Sequence, residues 1–453
     1  MSSQLNDFDV CKEKLTPLQK SIHLPGDPKL GINNQHNKIH TPFHYNLSKS
    51  TWSHHFTEKL QSSLDELTSK MTFRVNIKYH GLCYVDLEQE LPEIILQEGY
   101  EGKWTDNLGS NIVKKAQLFL DTNLLQTLDQ EYNDCYSECM IEDKKSYTED
   151  IGNSELLQTW QKEIKSSSTS FTMPWFFTDK ISKTFPLFFC GYLNDLRFHL
   201  ELRRTINELF LIRKINDDGT YTENIDFNSE SVLKVGNKIS GLSITPELLL
   251  SPPTMYGEYV LKSDLECNHN RCEAVNQLSN VFLIEDIISI DPEEILKSGD
   301  KYIKDLKDLN RVIHTYMWML KNINNEKKYS NYISDTNINP VLKTTINTGN
   351  ITLVDNLLSY RTNKKHPEKH FPSVPKTGYN VWTCGMKAKD TYPIPGHNIS
   401  NGKIEITLNN DKISTNYLLK LRLISYKKLT FTNFPDTEEK RKISQALITI
   451  SEM

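Results

Sequence analysis

The feature that most limits what this chain can fold into is a recurrent two-residue alternation of apolar and polar side chains. In Phe73-Arg74-Val75-Asn76-Ile77-Lys78-Tyr79-His80 every second residue is apolar. The alternation returns in Leu196-Arg197-Phe198-His199-Leu200-Glu201-Leu202-Arg203, in Lys403-Ile404-Glu405-Ile406-Thr407-Leu408, and in Leu419-Lys420-Leu421-Arg422-Leu423. Successive side chains of a strand point to opposite faces, so each stretch predicts a half-buried strand with one face on a core and one in water. Further strands are expected over 116–120, 256–261, 281–284, 315–320 and 379–384. Gly, Pro and Asn punctuate the intervals, and no repeated strand–helix alternation signals a parallel sheet. The pattern predicts an all-β chain of antiparallel β-sandwiches. Helical spacing is sparse. Phe56, Leu60, Leu64 and Leu67 predict one or two helical turns within 56–69. The stretches 155–165, 121–139 and 292–309 read as helical insertions between strands, 121–139 equally as loop.

At 453 residues the chain exceeds one ordinary core, so two or three domains are expected. The strand-rich zones are 40–213 and 253–433. Residues 1–39 read as a polar arm, broken by Pro17, Pro25, Gly26, Pro28 and Gly31. Residues 214–252 read as a junction, polar at Asn216-Asp217-Asp218-Gly219 and closing on Pro252-Pro253. Residues 434–453 form a tail. The zone 323–376 is rich in Asn, Lys and Pro and predicts long surface loops. No internal sequence repeat links the two zones.

Several function classes are disfavoured. The formal net charge of −5 shows no strongly basic domain, which argues against a dedicated nucleic-acid binder. Lys364, Lys365, His366 and Lys369 read as a solvated loop. No apolar run approaches the ~20 residues that span a bilayer, and residues 1–30 hold no signal-peptide core. A cytosolic site of synthesis and assembly follows as an expectation. Cys11, Cys83, Cys135, Cys139, Cys190, Cys267, Cys272 and Cys384 read as free thiols in a reducing compartment. In the same light the sequons at Asn46, Asn350 and Asn398 read as chance matches.

The motifs of nucleophile elbows, phosphate loops, dinucleotide folds and zinc peptidases are absent from the sequence. His36, His40 and His44 share a spacing of four, but Pro42 interrupts them. Cys267, His269 and Cys272 form at most half a metal set. Cys135 and Cys139 would share a helical face. Glu138, Glu142 and Asp143 lack a companion nucleophile or positioned base. No catalytic, cofactor-binding or metal-binding residue is therefore expected, and no cofactor. The aromatic run Trp175-Phe176-Phe177 to Phe185-Pro186-Leu187-Phe188-Phe189 predicts a doubly covered core or a subunit interface.

Three segments, in order, resemble the major capsid proteins of nucleocytoplasmic large DNA viruses. The first is Trp104-Thr105-Asp106-Asn107-Leu108-Gly109-Ser110-Asn111-Ile112-Val113, in which Gly109 is expected to supply the unusual backbone angle of a turn. The second is Met173-Pro174-Trp175-Phe176-Phe177 with Phe185-Pro186-Leu187 and Tyr192-Leu193-Asn194-Asp195-Leu196-Arg197. The third is Ala388-Lys389-Asp390 with Pro395-Gly396-His397-Asn398-Ile399-Ser400. Tyr256-Gly257-Glu258-Tyr259-Val260-Leu261-Lys262-Ser263-Asp264-Leu265-Glu266 resembles the strand that opens the family's second jelly roll. Ser110 stands where the family commonly has His, Asp121-Thr122-Asn123 where it has a Gly-Gly turn, and Asn401 where it has Arg.

The resemblance implies two tandem eight-stranded antiparallel jelly rolls. It implies a non-enzymatic structural protein of the virion that forms homotrimeric, pseudo-hexagonal capsomers in an icosahedral shell. Partners would be neighbouring capsomers, minor capsid proteins and an internal membrane, with no direct contact to nucleic acid. Loops 140–170 and 323–376 would form outer towers, and the N-terminal arm would face inward. Two alternatives stay open: a minor capsid or assembly-scaffold protein of the same fold, and a sugar-binding or metal-dependent jelly-roll enzyme. The latter needs converging His and Glu ligands, and no predicted strand carries a His-x-His pair.

Overall fold

The computed structural model describes residues 54–452 apart from 143, 145–146, 148, 179–183, 240–247, 262–266, 268–280, 324–327, 350, 387–393, 411–414, 433 and 436–437. The expected arm, 1–39, lies outside the described residues.

Sixteen strands make the frame. In the N-terminal half they are β1 (His54–Lys59), β2 (Lys70–Arg74), β3 (Gly81–Leu91), β4 (Val113–Leu120), β5 (Asn123–Asp129), β6 (Ser167–Thr172), β7 (Leu196–Leu202) and β8 (Thr254–Leu261). In the C-terminal half they are β9 (Val281–Ile290), β10 (Lys301–Asp305), β11 (Val312–Asn322), β12 (Val341–Asn347), β13 (Thr352–Leu358), β14 (Asn380–Thr383), β15 (Lys403–Leu408) and β16 (Asn416–Thr432). The first half pairs them as β1-β8-β3-β6 and β2-β7-β4-β5; the second as β9-β16-β11-β14 and β10-β15-β12-β13. The second list is the first with eight added to every number. Every ladder is antiparallel. The repeat that the sequence hides is therefore complete in the topology.

The alternation builds the sheets where it was read. Leu196, Phe198, Leu200 and Leu202 of β7 are buried while the residues between them are half-buried, and Ile404, Ile406 and Leu408 of β15 repeat the pattern. In β16 alternation gives way to unbroken burial from Leu421 to Tyr426, and β11 is buried without a break from Ile313 to Leu320. Both faces of this sheet are covered. Trp318, Leu421 and Leu423 enter the core of their own sandwich, while Met317, Met319 and Ile424 pack with the core of the N-terminal half.

Some expectations are corrected. The strand expected over 73–80 leaves its ladder after Arg74. Val75 still donates to Leu196 O at 2.9 Å, but Asn76 then turns the chain, its side chain accepting from Lys78 N at 3.3 Å. Residues 56–69 are strand and turn, not helical: β1 is followed by a strand Gln61–Asp65 and a turn over 66–69. A spacing of four suits a period of two as well as one of 3.6, which is why the two could not be told apart. Leu67, beyond both strands, is 98% exposed. Residues 292–309 hold Ile295–Lys297 and β10 rather than a helix. Residues 155–165 are helical only over Glu155–Gln158, and 121–139 divides into β5 and a helix, Gln130–Cys139.

The expected start of the second sandwich at 253 is also moved. β8 pairs with β1 and β3, so it closes the first half, and β9 opens the second. Nor is 214–252 a linker. Its strand Tyr221–Glu223 pairs with Phe210–Ile215, and Val232–Val235 pairs with Ile94–Leu96.

Antiparallel alternation sends the β3–β4, β5–β6 and β7–β8 connections out of one end of the N-terminal sandwich. There they form two small sheets, which join Tyr221–Glu223, Phe210–Ile215 and Tyr100–Trp104 in one and Lys238–Ile239, Val232–Val235, Ile94–Leu96 and Glu163–Ile164 in the other. Among the described residues, the equivalent connections of the C-terminal half carry no paired strands. At the opposite end, the base, the tail contributes a helical turn, Glu438–Arg441, and a strand, Leu447–Glu452, that pairs with the end of β16.

Candidate functional site

The seam between the two sandwiches is the most elaborated polar site. Its centre is the helix Gln130–Cys139, whose sequence QEYNDCYSEC is polar and whose ten residues are all buried. Asp129 caps it, its carboxylate accepting from Tyr132 N at 2.9 Å. Glu131, Asp134, Cys135 and Glu138 share the face that meets the C-terminal half.

Arg422, fully buried on β16, closes the seam. Its Nε donates to Asp129 at 2.9 Å, its Nη2 to Glu131 at 3.0 Å and its Nη1 to Asp291 at 2.7 Å. Lys420 lies 3.7 Å from Glu131 and 3.5 Å from Asp291, and Lys321 lies 3.8 Å from Glu131. Burial alone would raise the Glu131 carboxyl, but Arg422, Lys420 and Lys321 outweigh it and hold it below the usual range. Burial works against the Arg422 charge, and the carboxylates of Asp129, Glu131 and Asp291 raise its pKa nonetheless.

Deeper in the seam, Asp134 accepts from Tyr332 Oη at 2.8 Å and from Asn107 Nδ2 at 3.2 Å. Burial pushes its carboxyl up to about 6, against those hydrogen bonds. Asn107 belongs to the Trp104–Val113 motif, so this motif works at the seam. The unusual backbone angle sits on Asn107, at φ 51°, and not on Gly109 as expected. Gly109 serves close approach: a Cβ there would lie 3.0 Å from Phe171 Cβ and 3.3 Å from Ser170 O.

Glu138 is an ion-pair residue, 2.8 Å from Lys144 Nζ and 3.1 Å from Lys376 Nζ. Burial would raise its carboxyl, but Lys376 and Lys144 hold it below the usual range. Glu142 is exposed, and Asp143 lies outside the described residues. Cys135 donates from Sγ to Met319 Sδ at 3.3 Å across the seam. Cys83, Cys135, Cys139, Cys190 and Cys384 are free thiols, and burial pushes Cys83 to about 12 and Cys384 to about 11. Cys11, His36, His40, His44, Asn46, His269, Cys272 and Asn350 lie outside the described residues, as do Ala388, Lys389 and Asp390. Among the described residues no three His, Cys, Asp or Glu side chains are grouped to hold a metal. No helix there is long and apolar enough to cross a membrane.

The basic cluster at 364–369 is only partly a solvated loop. Lys364 and Lys369 are exposed, but His366 is buried, stacks on Trp382 with ring centroids 4.0 Å apart, and accepts from Thr383 N at 3.0 Å. Burial lowers its pKa to about 3. The aromatic run resolves into a contact between halves at the base. Phe189 lies 5.7 Å from Phe282, 5.5 Å from Phe431 and 4.9 Å from Phe434, centroid to centroid. In the third motif Gly396 lies so close to β11 that a Cβ would be 2.8 Å from Ile313 O. Sequence reasoning missed Arg422, Asp291 and Arg441. Arg422 had one weak signal: with Lys420 it is one of two charged residues inside a five-residue apolar alternation.

No protein-family model and no curated protein sequence matches the chain. Solved structures do. VP54 of PBCV-1, as fitted into a reconstruction of the virophage Sputnik, superposes with a TM-score of 0.64 at 10% identity, over 88% of this chain and 97% of that one. The Faustovirus major capsid protein gives 0.62 at 9% identity, over 83% and 90%. The quasi-atomic model of the PBCV-1 capsid gives 0.61 at 12% identity, over 83% and 94%. The fold is a double jelly roll. Within the double jelly roll, the polar helix and Arg422 set how one jelly roll sits on the other. The aromatic cluster joins them at the base, and the extra sheets crown the first jelly roll alone.

Proposed function

We propose that the chain is a major capsid protein whose double jelly roll assembles as a trimer, six jelly rolls giving a pseudo-hexagonal capsomer of an icosahedral shell. The observation that carries this reading is the pair of sandwiches with one strand order, fixed side by side by an ionic seam centred on the fully buried Arg422. A rigid tandem of like units lets three chains present six similar sides, which closed symmetry then tiles. The major capsid proteins it superposes on, over most of both chains, support the same reading. In this account the chain is structural, not an enzyme, and its partners are copies of itself, minor capsid proteins and an internal membrane. It resides in the virion and is made and assembled in the host cytoplasm. The crown built from 92–112, 140–166 and 203–253 is the outer tower, in place of the 140–170 and 323–376 loops alone. The exposed sheet edges are covered by neighbouring subunits.

Quantitative mass spectrometry of purified particles tests this. The expected result is that this chain is the most abundant structural protein. Substoichiometric amounts would instead assign it to minor or scaffold duty, and a stoichiometric bound metal or sugar would revive the jelly-roll enzyme.

A further inference from the structure

The base of the N-terminal jelly roll holds a cleft that the assembly reading does not use. Its walls are the β2–β3 loop, 75–80, and residues 184–195, which lead into β7. They are tied to each other by Phe188 N donating to His80 O at 3.1 Å, and the second wall turns on itself through Cys190 N to Leu187 O at 2.9 Å. Five carbonyls converge in it. Into them reaches Arg441 of the tail, fully buried. Its Nε donates to Cys190 O at 2.9 Å, its Nη1 to Lys78 O at 3.3 Å, and its Nη2 to Tyr79 O at 2.8 Å, Leu187 O at 3.1 Å and Ile77 O. A buried guanidinium needs such a fan of acceptors, and the fixed fork of its donors matches it where an ammonium cannot.

Main-chain recognition continues along the tail. Tyr192 N donates to Arg441 O at 2.8 Å and Leu193 N to Ser444 O at 3.3 Å. The Asn194 side chain makes a reciprocal pair with Ala446, donating to its carbonyl at 3.0 Å and accepting from its N–H at 2.9 Å. Gly191 admits the tail: a Cβ there would sit 1.9 Å from Ser444 O. Between the two buried anchors, Arg441 and Ala446, Lys442 and Gln445 are exposed and Ile443 is 78% exposed, while Ser444 is half-buried with its Oγ enclosed. Two buried anchors, main-chain hydrogen bonds and exposed side chains between them are how a short peptide is held, not how a core segment is packed.

We propose that this cleft is a peptide-docking site whose occupant is the segment 438–446 of this chain, recognised through Arg441 and Ala446. The tail of a second copy fills it as well as the chain's own. The inference does not rest on the capsid reading. The test uses the full chain carrying Arg441→Ala, whose own tail is disarmed. A fluorescein-labelled peptide spanning 434–453 is titrated in and followed by anisotropy, beside the same peptide carrying Arg441→Ala. Saturable binding of the first peptide, at least about tenfold tighter than the second, is expected. Equal binding of the two, or none by a folded chain, overturns the proposal. Should that variant not fold, hydrogen exchange on the unaltered chain and on Gly191→Ala decides. The amides of Tyr192, Leu193 and Ala446 should exchange together, ahead of those of β7 and β16, and faster still in Gly191→Ala. Exchange of those amides only with global unfolding, unmoved by the glycine substitution, overturns it.

Discussion

Among the described residues two arginines are fully buried, and they are held in opposite ways. Arg422 at the seam faces carboxylates, Asp129 and Glu131 from the first jelly roll and Asp291 from the second. Arg441 at the base faces main-chain carbonyls of the loop 75–80 and of residues 184–195. A charge neutralised by charges fixes orientation, because carboxylates left without it would repel in a largely enclosed site. A charge solvated by carbonyl dipoles recognises a backbone, and its removal leaves groups that water can serve. On the docking proposal, the seam is the permanent joint of the molecule and the base its detachable one.

The contrast is sharpest in Arg422→Ala. It takes the central cation from Asp129 and Glu131, with Lys420 and Lys321 still beside Glu131 and Asp291 open to solvent, and should cost about 3 kcal/mol in chemical denaturation, the lower end for a buried pair; a loss below about 1 kcal/mol, the worth of an exposed pair, would break the comparison. Asp134→Asn reads the same seam through pH. Folded Asp134 keeps its proton to about 6, while the unfolded carboxyl releases it near 3.8. Folding therefore takes up a proton between these values, and stability falls as pH rises through the window, by at most about 3 kcal/mol. Asp134→Asn should remove that fall, so its stability relative to the parent climbs from pH 4 to 6 and then levels. A flat difference across this range would contradict the assignment. Glu131 and Glu138, held low, act oppositely: their contribution is present above about 4.5 and lost as pH falls through their lowered values.

Arg441→Ala should cost less than Arg422→Ala, about 1–3 kcal/mol, the range for unmade bonds to a charged donor. Equal costs would mean the base is as obligatory as the seam. Smallest is Gly109→Ala, where the new methyl meets Phe171 Cβ at 3.0 Å and should cost about 1 kcal/mol by overpacking. Thermal unfolding checks it, and an unchanged midpoint would show that the Trp104–Val113 turn gives way.

How legible was this in the sequence? The sheets were, because alternation survives wherever one face meets water, as in β7 and β15. β11 and the middle of β16 were only half legible, since burial on both faces erases the period. The β8 misplacement came from the same source: Tyr256–Leu261 reads as a strand whichever sandwich it joins, and pairing with β1 and β3 is a long-range choice. The seam was hidden because Gln130–Cys139 has the composition of a solvent helix. Its ionic partners Arg422 and Lys321 come from about 290 and 190 residues further on, a separation that local pattern reasoning does not bridge. The base was hidden because main-chain carbonyls leave no mark in a sequence at all.

The central claim is that two welded jelly rolls are the repeating unit of a trimeric capsomer. Light scattering of the purified full chain, with negative-stain images of the same sample, tests it most directly. The account predicts a particle of three chains, 3 × 52.5 kDa or about 158 kDa, with a hexagonal outline. A stable, soluble monomer of 52.5 kDa at every concentration would contradict it.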